Sequence, residues 1–171
     1  QTCALPIWHL FKKAVELLKA VEEEYAGEHN WNYRMGYALY YLDQESRAKY
    51  YFEKALEYRP GDEDTLEMIS LCRKVLALPN AMKPFCERVK EGWQSFLEGE
   101  WKLRQMLDAK QGGEPVADLC HQLLSPAFAG LYFEVGCNGG RYDLILSPEG
   151  DKSRIFKLIY FMEHAPKEEI G

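Results

Sequence analysis

WNYRMGYALYYLDQESRAKYYFEKALEYRP, residues 31 to 60, decides how this chain folds. It predicts two helices joined by a tight turn: Trp31 to Leu42, then Asp43 to Glu45, then Ser46 to Tyr58. Asn30 stands where a side-chain cap would begin the first helix. Arg59-Pro60-Gly61-Asp62 ends the second, because proline lacks the amide that a continuing helix needs. Helices of a hairpin approach closely only where a side chain is absent, and Gly36 supplies that absence. Ala48 and Ala55 supply the matching shallow side, with the large Phe52 between them.

Met35, Gly36, Leu39, Ala48, Phe52, Ala55 and Pro60 stand at the spacing of the 34-residue tetratricopeptide repeat (TPR). On these residues the stretch resembles a bacterial TPR protein. An ordinary amphipathic hairpin is the competing reading; seven agreements at fixed spacing, and an echo upstream, favour the repeat. The resemblance implies a protein-interaction or scaffold protein in which the first helix of each repeat lines a concave groove for a protein or peptide partner. Counted from Gly36, the candidate binding face is Asn30, Tyr33, Tyr37, Tyr40 and Tyr41. Tyr33, Tyr37 and Tyr40 follow at steps of four and three, away from Met35 and Leu39. Tyrosine offers large contact area at small entropic cost. The bland alternative is that these rings pack against a neighbouring repeat.

Gln1 to Ile7 read as a non-native leader, the translation of a sequencing-adapter end, and are set aside together with Cys3. From Trp8 to Tyr25, Phe11, Ala14, Val15, Leu18 and Val21 recur at helical steps. Shifted by 34 residues, Ala14 falls on Ala48, Leu18 on Phe52 and Val21 on Ala55. The segment is therefore expected to be the second helix of a preceding repeat whose first helix has been cut off, with Gly27 opening the next turn. Downstream, Asp62 to Leu78 is predicted helical, with Leu66, Ile69, Leu71 and Val75 as its apolar set. Ser70 replaces the small glycine and Leu78-Pro79 arrives where a partner helix should start, so this helix is expected to cap the array.

Phe85, Val89, Trp93, Phe96, Leu103 and Leu107 form one stripe of a long helix over about 84–109. Gln111-Gly112-Gly113 breaks it. A shorter helix follows, with Pro115 in its first turn and Val116, Leu119, Cys120, Leu123 and Leu124 apolar. After Gly130 the period changes to two. Leu131, Phe133, Val135 and Cys137 alternate with polar positions, as do Tyr142, Leu144 and Leu146, which predicts a β-hairpin. A loop on Asn138-Gly139 would set Glu134 opposite Asp143, a repulsive pair, so the register stays open between that loop and Gly139-Gly140. Pro148-Glu149-Gly150 turns the chain, Asp151 or Ser153 caps, and Lys152 to His164 reads as a helix. RYDLILSPEGD, the apolar helix and HAP resemble the opening of an uncharacterised bacterial α/β module found beside TPR segments, which carries no activity across.

The expected fold is thus mainly α: TPR-type hairpins over 8–79, a helical connector over 80–128, and a truncated α+β module, hairpin plus helix, over 129–171. Of the 171 residues 47% are hydrophobic and 28% charged, which suits a globular chain. A net charge of -6 offers no basic stripe for nucleic acid. No apolar run reaches the roughly 20 residues of a membrane span. Five dispersed cysteines without a CxxC pair suit reduced cytoplasmic thiols. Four scattered histidines give no metal spacing, and no nucleotide loop is present, so neither metal nor cofactor is expected. Cys120 and His121 are helix neighbours that point apart. Cys137 with His164 as base is the better catalytic candidate, but an ordinary inward strand thiol followed by a turn is the favoured explanation. No catalysis is expected; the alternative is an enzymatic or small-ligand activity in the C-terminal module.

Overall fold

The computed structural model describes residues 7–148 and 152–167. They are mainly helical, with one two-stranded antiparallel sheet near the C-terminus. The chain divides into two compact units, 1–82 and 83–171. None of the described helices is long and apolar enough to cross a membrane.

The first unit contains α1 (Trp8–Ala20), the short α2 (Glu22–Tyr25), α3 (His29–Tyr41), α4 (Glu45–Tyr58) and α5 (Glu63–Leu76). The helix expected over Trp8 to Tyr25 is therefore interrupted at Val21, whose φ of -117° and ψ of 16° leave the helical region. Helix α3 begins one residue before Asn30, with Glu28 at the cap position and no side-chain cap. Asn32 compensates, its Nδ2 donating to the carbonyls of Ala26 and Glu28 at 2.8 Å each. Asp62 caps α5 by accepting from the Thr65 amide at 3.1 Å.

Helix α3 packs on α4, α4 on α5, and α1 on α3. Their shared core holds Trp31, Met35, Leu39, Ala48, Phe52, Met68, Ile69 and Cys72. On α5 the inward positions are Thr65, Met68, Ile69 and Cys72, whereas Leu66 points outward. Gly36 is where α3 and α4 touch: a β-carbon there would sit 2.9 Å from two ring carbons of Phe52 and 3.1 Å from the Ala48 carbonyl.

The second unit holds α6 (Phe85–Asp108), α7 (Glu114–Leu124), β1 (Tyr132–Asn138), β2 (Arg141–Ser147) and α8 (Lys152–Glu163). The boundary expected near 128–129 falls inside it, because α8 lays Leu158 and Phe161 into the same core as the α6 stripe. Trp93 stacks on Phe161 at 4.3 Å and its Nε1 donates to the Phe161 carbonyl at 2.8 Å. Trp101 is 56% exposed instead. The turn at 149–151 and its Asp151 cap, like Cys3, lie outside the described residues.

The hairpin takes the Gly139-Gly140 loop. Asn138 pairs with Arg141, which puts Glu134 opposite Ile145 and Asp143 opposite Gly136. Both glycines have positive φ, 60° and 86°, as a type I′ turn requires, and the carboxylates are kept apart. Phe133, Val135 and Cys137 share one face with Leu146, Leu144 and Tyr142. The Tyr142 hydroxyl donates to Asp108 at 2.7 Å, tying this face to the end of α6. Gly140→Ala, which forces a β-carbon into the left-handed region, is expected to cost about 1 kcal/mol. Thermal unfolding checks it, and an unchanged midpoint would refute the turn type.

Candidate functional site

Four rings on α3 are set one helical turn apart: His29, Tyr33, Tyr37 and Tyr41. His29 and Tyr33 stack at 6.0 Å, Tyr33 and Tyr37 at 6.1 Å, and Tyr37 and Tyr41 tilt together at 4.8 Å. The hydroxyls of the last two are hydrogen-bonded at 2.8 Å. Phe11 of α1 closes the row by stacking on Tyr41 at 4.2 Å. Tyr37 is 37% exposed and Asn30 is exposed beside it, while Tyr33 and Tyr41 are half-buried.

Tyr40 does not belong to this face. It is 6% exposed and part of the core. The step of three that links it to Tyr37 turns back by about 60° at 100° per residue, towards the packed side of α3. The i, i+4 series that runs back from Tyr33 to His29 and forward to Tyr41 was the better signal, and the sequence reading passed over His29.

Beside the aromatic row lies an apolar groove of about 620 Å³. Helix α1 lines it with Phe11, Ala14, Leu17 and Leu18, and α3 with Tyr33, Arg34, Tyr37 and Ala38. Trp31 holds the two helices together, its Nε1 donating to the Leu18 carbonyl at 2.9 Å.

At the other end the row meets the start of α5. His29 Nε2 lies 3.4 Å from Asp62 Oδ2 and 3.3 Å from Thr65 Oγ1, and the Thr65 hydroxyl donates to the same carboxylate at 2.5 Å. That donation, with the Thr65 amide, His29 and Arg59, holds the Asp62 carboxyl below its ordinary range against the opposing effect of burial. Burial pushes the Tyr33 hydroxyl up, and the carboxylates of Asp64, Asp62 and Glu67 add to it. The α5 end of the row is therefore acidic.

A carboxyl depressed by folding stabilises the folded state above its unfolded pKa of about 3.9, and that contribution disappears as pH falls through the lower folded value. Wild type should accordingly outmelt Asp62→Asn at about pH 5. The margin should shrink below about pH 4. Melts across this range check it; a margin that widens on acidification would contradict the Thr65–Asp62–His29 assignment.

The catalytic candidates are not assembled. Burial pushes the Cys120 thiol up to about 11, which leaves no nucleophilic thiolate near neutrality. His121 instead faces the Leu131 carbonyl at 2.9 Å and the Phe133 ring. Cys137 is exposed at the hairpin end, and His164 interacts within α8, 2.7 Å from the Tyr160 carbonyl and stacked on the Tyr160 ring. Among the described residues no three histidine, cysteine or carboxylate side chains are grouped as a metal site. Cys72, Cys120 and Cys137 are free thiols.

No protein-family model, curated protein or solved structure matches this chain.

Proposed function

We propose that residues 8–79 form a TPR segment that binds a protein or peptide partner, with the aromatic row of α3 as part of the recognition surface. The observation that carries this reading is the contact at Gly36. The repeat needs a missing side chain in its first helix opposite a small and a large residue of its second, and Gly36 lies against Ala48 and Phe52 in that manner. Helices following one another with short connections, and Ala55 buried one turn beyond Phe52, agree with it. The binding face then comprises Asn30, Tyr33, Tyr37 and Tyr41, with the carboxylates of Asp64 and Glu67 at one end. Tyr40 serves the core.

The test is capture of partners on the immobilised chain, comparing wild type with Asn30→Ala/Tyr37→Ala. Tyr37 gives up its contacts with Tyr33 and Tyr41, so the melting midpoint should fall by a few degrees while the variant stays folded at the temperature of the capture. Proteins retained by wild type should be lost at least tenfold from the variant, since a truncated tyrosine anchor costs on the order of 1–2 kcal/mol or more. Equal retention by the two proteins would refute the face.

A further inference from the structure

We infer that the exposed face of α3 recognises a cationic peptide segment, one that lays a lysine or arginine against the tyrosine row at its α5 end and an apolar residue into the groove beside α1. This rests on the binding face proposed above and adds the chemistry of the partner.

Helix α5 reads EDTLEMISLCRKVL from Glu63, so three of its first five residues are acidic and no basic residue comes before Arg73. Acidic residues in a first turn complement the helix dipole, which accounts for Glu63 and Asp64. It does not account for Glu67, a turn further on. Asp64 and Glu67 are exposed, and neither is in an ion pair among the described residues. On α4, by contrast, Glu53 and Glu57 are matched by Lys49 and Lys54, and Glu53 also faces Arg73 of α5. Asp62 is matched too, by His29 and Arg59. Both unmatched carboxylates act on Tyr33, whose hydroxyl they help burial to hold above its ordinary value.

The rings favour the same sign of charge. An aromatic face carries partial negative charge and attracts a cation held within about 6 Å of its centre. Tyr33 and Tyr37 stack within 25° of parallel, and Tyr37 is exposed. A lysine or arginine laid along them meets the rings and the two unmatched carboxylates at once. A carboxylate in the same place would be repelled by both. The opposite flank of the row differs. Arg34 stands on the α1 side, where it lines the groove with Phe11, Ala14, Leu17 and Ala38. Its guanidinium repels a second cation there, while the apolar side chains around it accept an apolar one. The two contacts are thereby ordered across α3, the cation towards α5 and the apolar residue towards α1.

The experiment selects a phage-displayed library of random peptides on the full chain and discards every peptide that also binds Asn30→Ala/Tyr37→Ala. That variant keeps all the carboxylates, so peptides held only by overall negative charge are removed. Those that remain should be richer than the unselected library in lysine and arginine next to apolar residues. As a free synthetic peptide, the most enriched of them should bind Asp64→Asn/Glu67→Gln about fivefold or more weakly than wild type, and added salt should narrow the difference. Glu22→Gln/Glu23→Gln removes the same charge from α2, where Glu22 acts on Tyr51 and not on the row, and should bind like wild type. Three results overturn the cationic partner and leave the binding face standing: Tyr37-dependent peptides without basic residues, equal affinity for wild type and Asp64→Asn/Glu67→Gln, or an equal loss in the α2 variant. If no peptide distinguishes wild type from Asn30→Ala/Tyr37→Ala, the face falls and this inference with it.

Discussion

Gly36→Leu is expected to lower the unfolding free energy of the first unit by about 3 kcal/mol. The β-carbon alone would lie 2.9 Å from Cδ1 and Cε1 of Phe52 and 3.1 Å from the Ala48 carbonyl oxygen. Neither neighbour has room to retreat. Phe52 is fully buried between Tyr33, which meets it edge-on at 5.6 Å, and the rest of the core, and the Ala48 oxygen is backbone. The remaining atoms of leucine then force α3 from α4. Leucine's better helix propensity returns only about 0.5–1 kcal/mol. Urea unfolding followed by far-ultraviolet circular dichroism measures the loss, and Gly36→Ala should fall between leucine and wild type. A midpoint equal to or above wild type would mean that α3 and α4 do not meet at Gly36.

The second large effect belongs to the other unit: Phe161→Ala should cost about 3–5 kcal/mol. Phe161 is 0% exposed, stacks face to face on Trp93 and meets Phe128 edge-on at 5.2 Å. A β-carbon on Gly92 would lie 3.2 Å from its ring, so α6 has given up a side chain to admit it. Truncation leaves a cavity lined by these groups that close-packed neighbours fill only in part. Ile159, two residues back on the outer face of α8, is half exposed, and Ile159→Ala should change stability by no more than about 0.5 kcal/mol. Amide exchange resolves the two units separately, which a single melt does not. Comparable protection of α6 in the two variants would show that α8 is not docked through Phe161.

Much of this was legible along the chain because it is local. The step-of-three-and-four spacing of Phe85, Val89, Trp93 and Phe96 marks one helix face whatever that face meets, and each of these residues is buried. Proline and glycine end elements through their own backbones, and the period-two run after Gly130 marks strands because the pleat alternates. Gly36 could be singled out since its only use inside a helix is to admit something close. Other features were not local. The sequence offered two hairpin registers, and the choice needed both glycines at positive φ with Glu134 and Asp143 apart.

What residues 31–60 determined by themselves was a helical hairpin closed at Gly36, because the partner helix is only a turn away and its small and large positions follow in order. Tertiary structure decided which rings of α3 remain on the surface. Tyr37 and Tyr40 are the same residue type three positions apart, yet one faces solvent and the other is enclosed with Met68, Ile69 and Cys72 in one core. The i, i+4 series of His29, Tyr33, Tyr37 and Tyr41 marks one face of α3 and leaves Tyr40 off it, but which face is covered is decided by the neighbouring helices. The partnership of His29 with Asp62 and Thr65 likewise exists only because α5 returns its first turn to the start of α3, more than thirty residues along the chain.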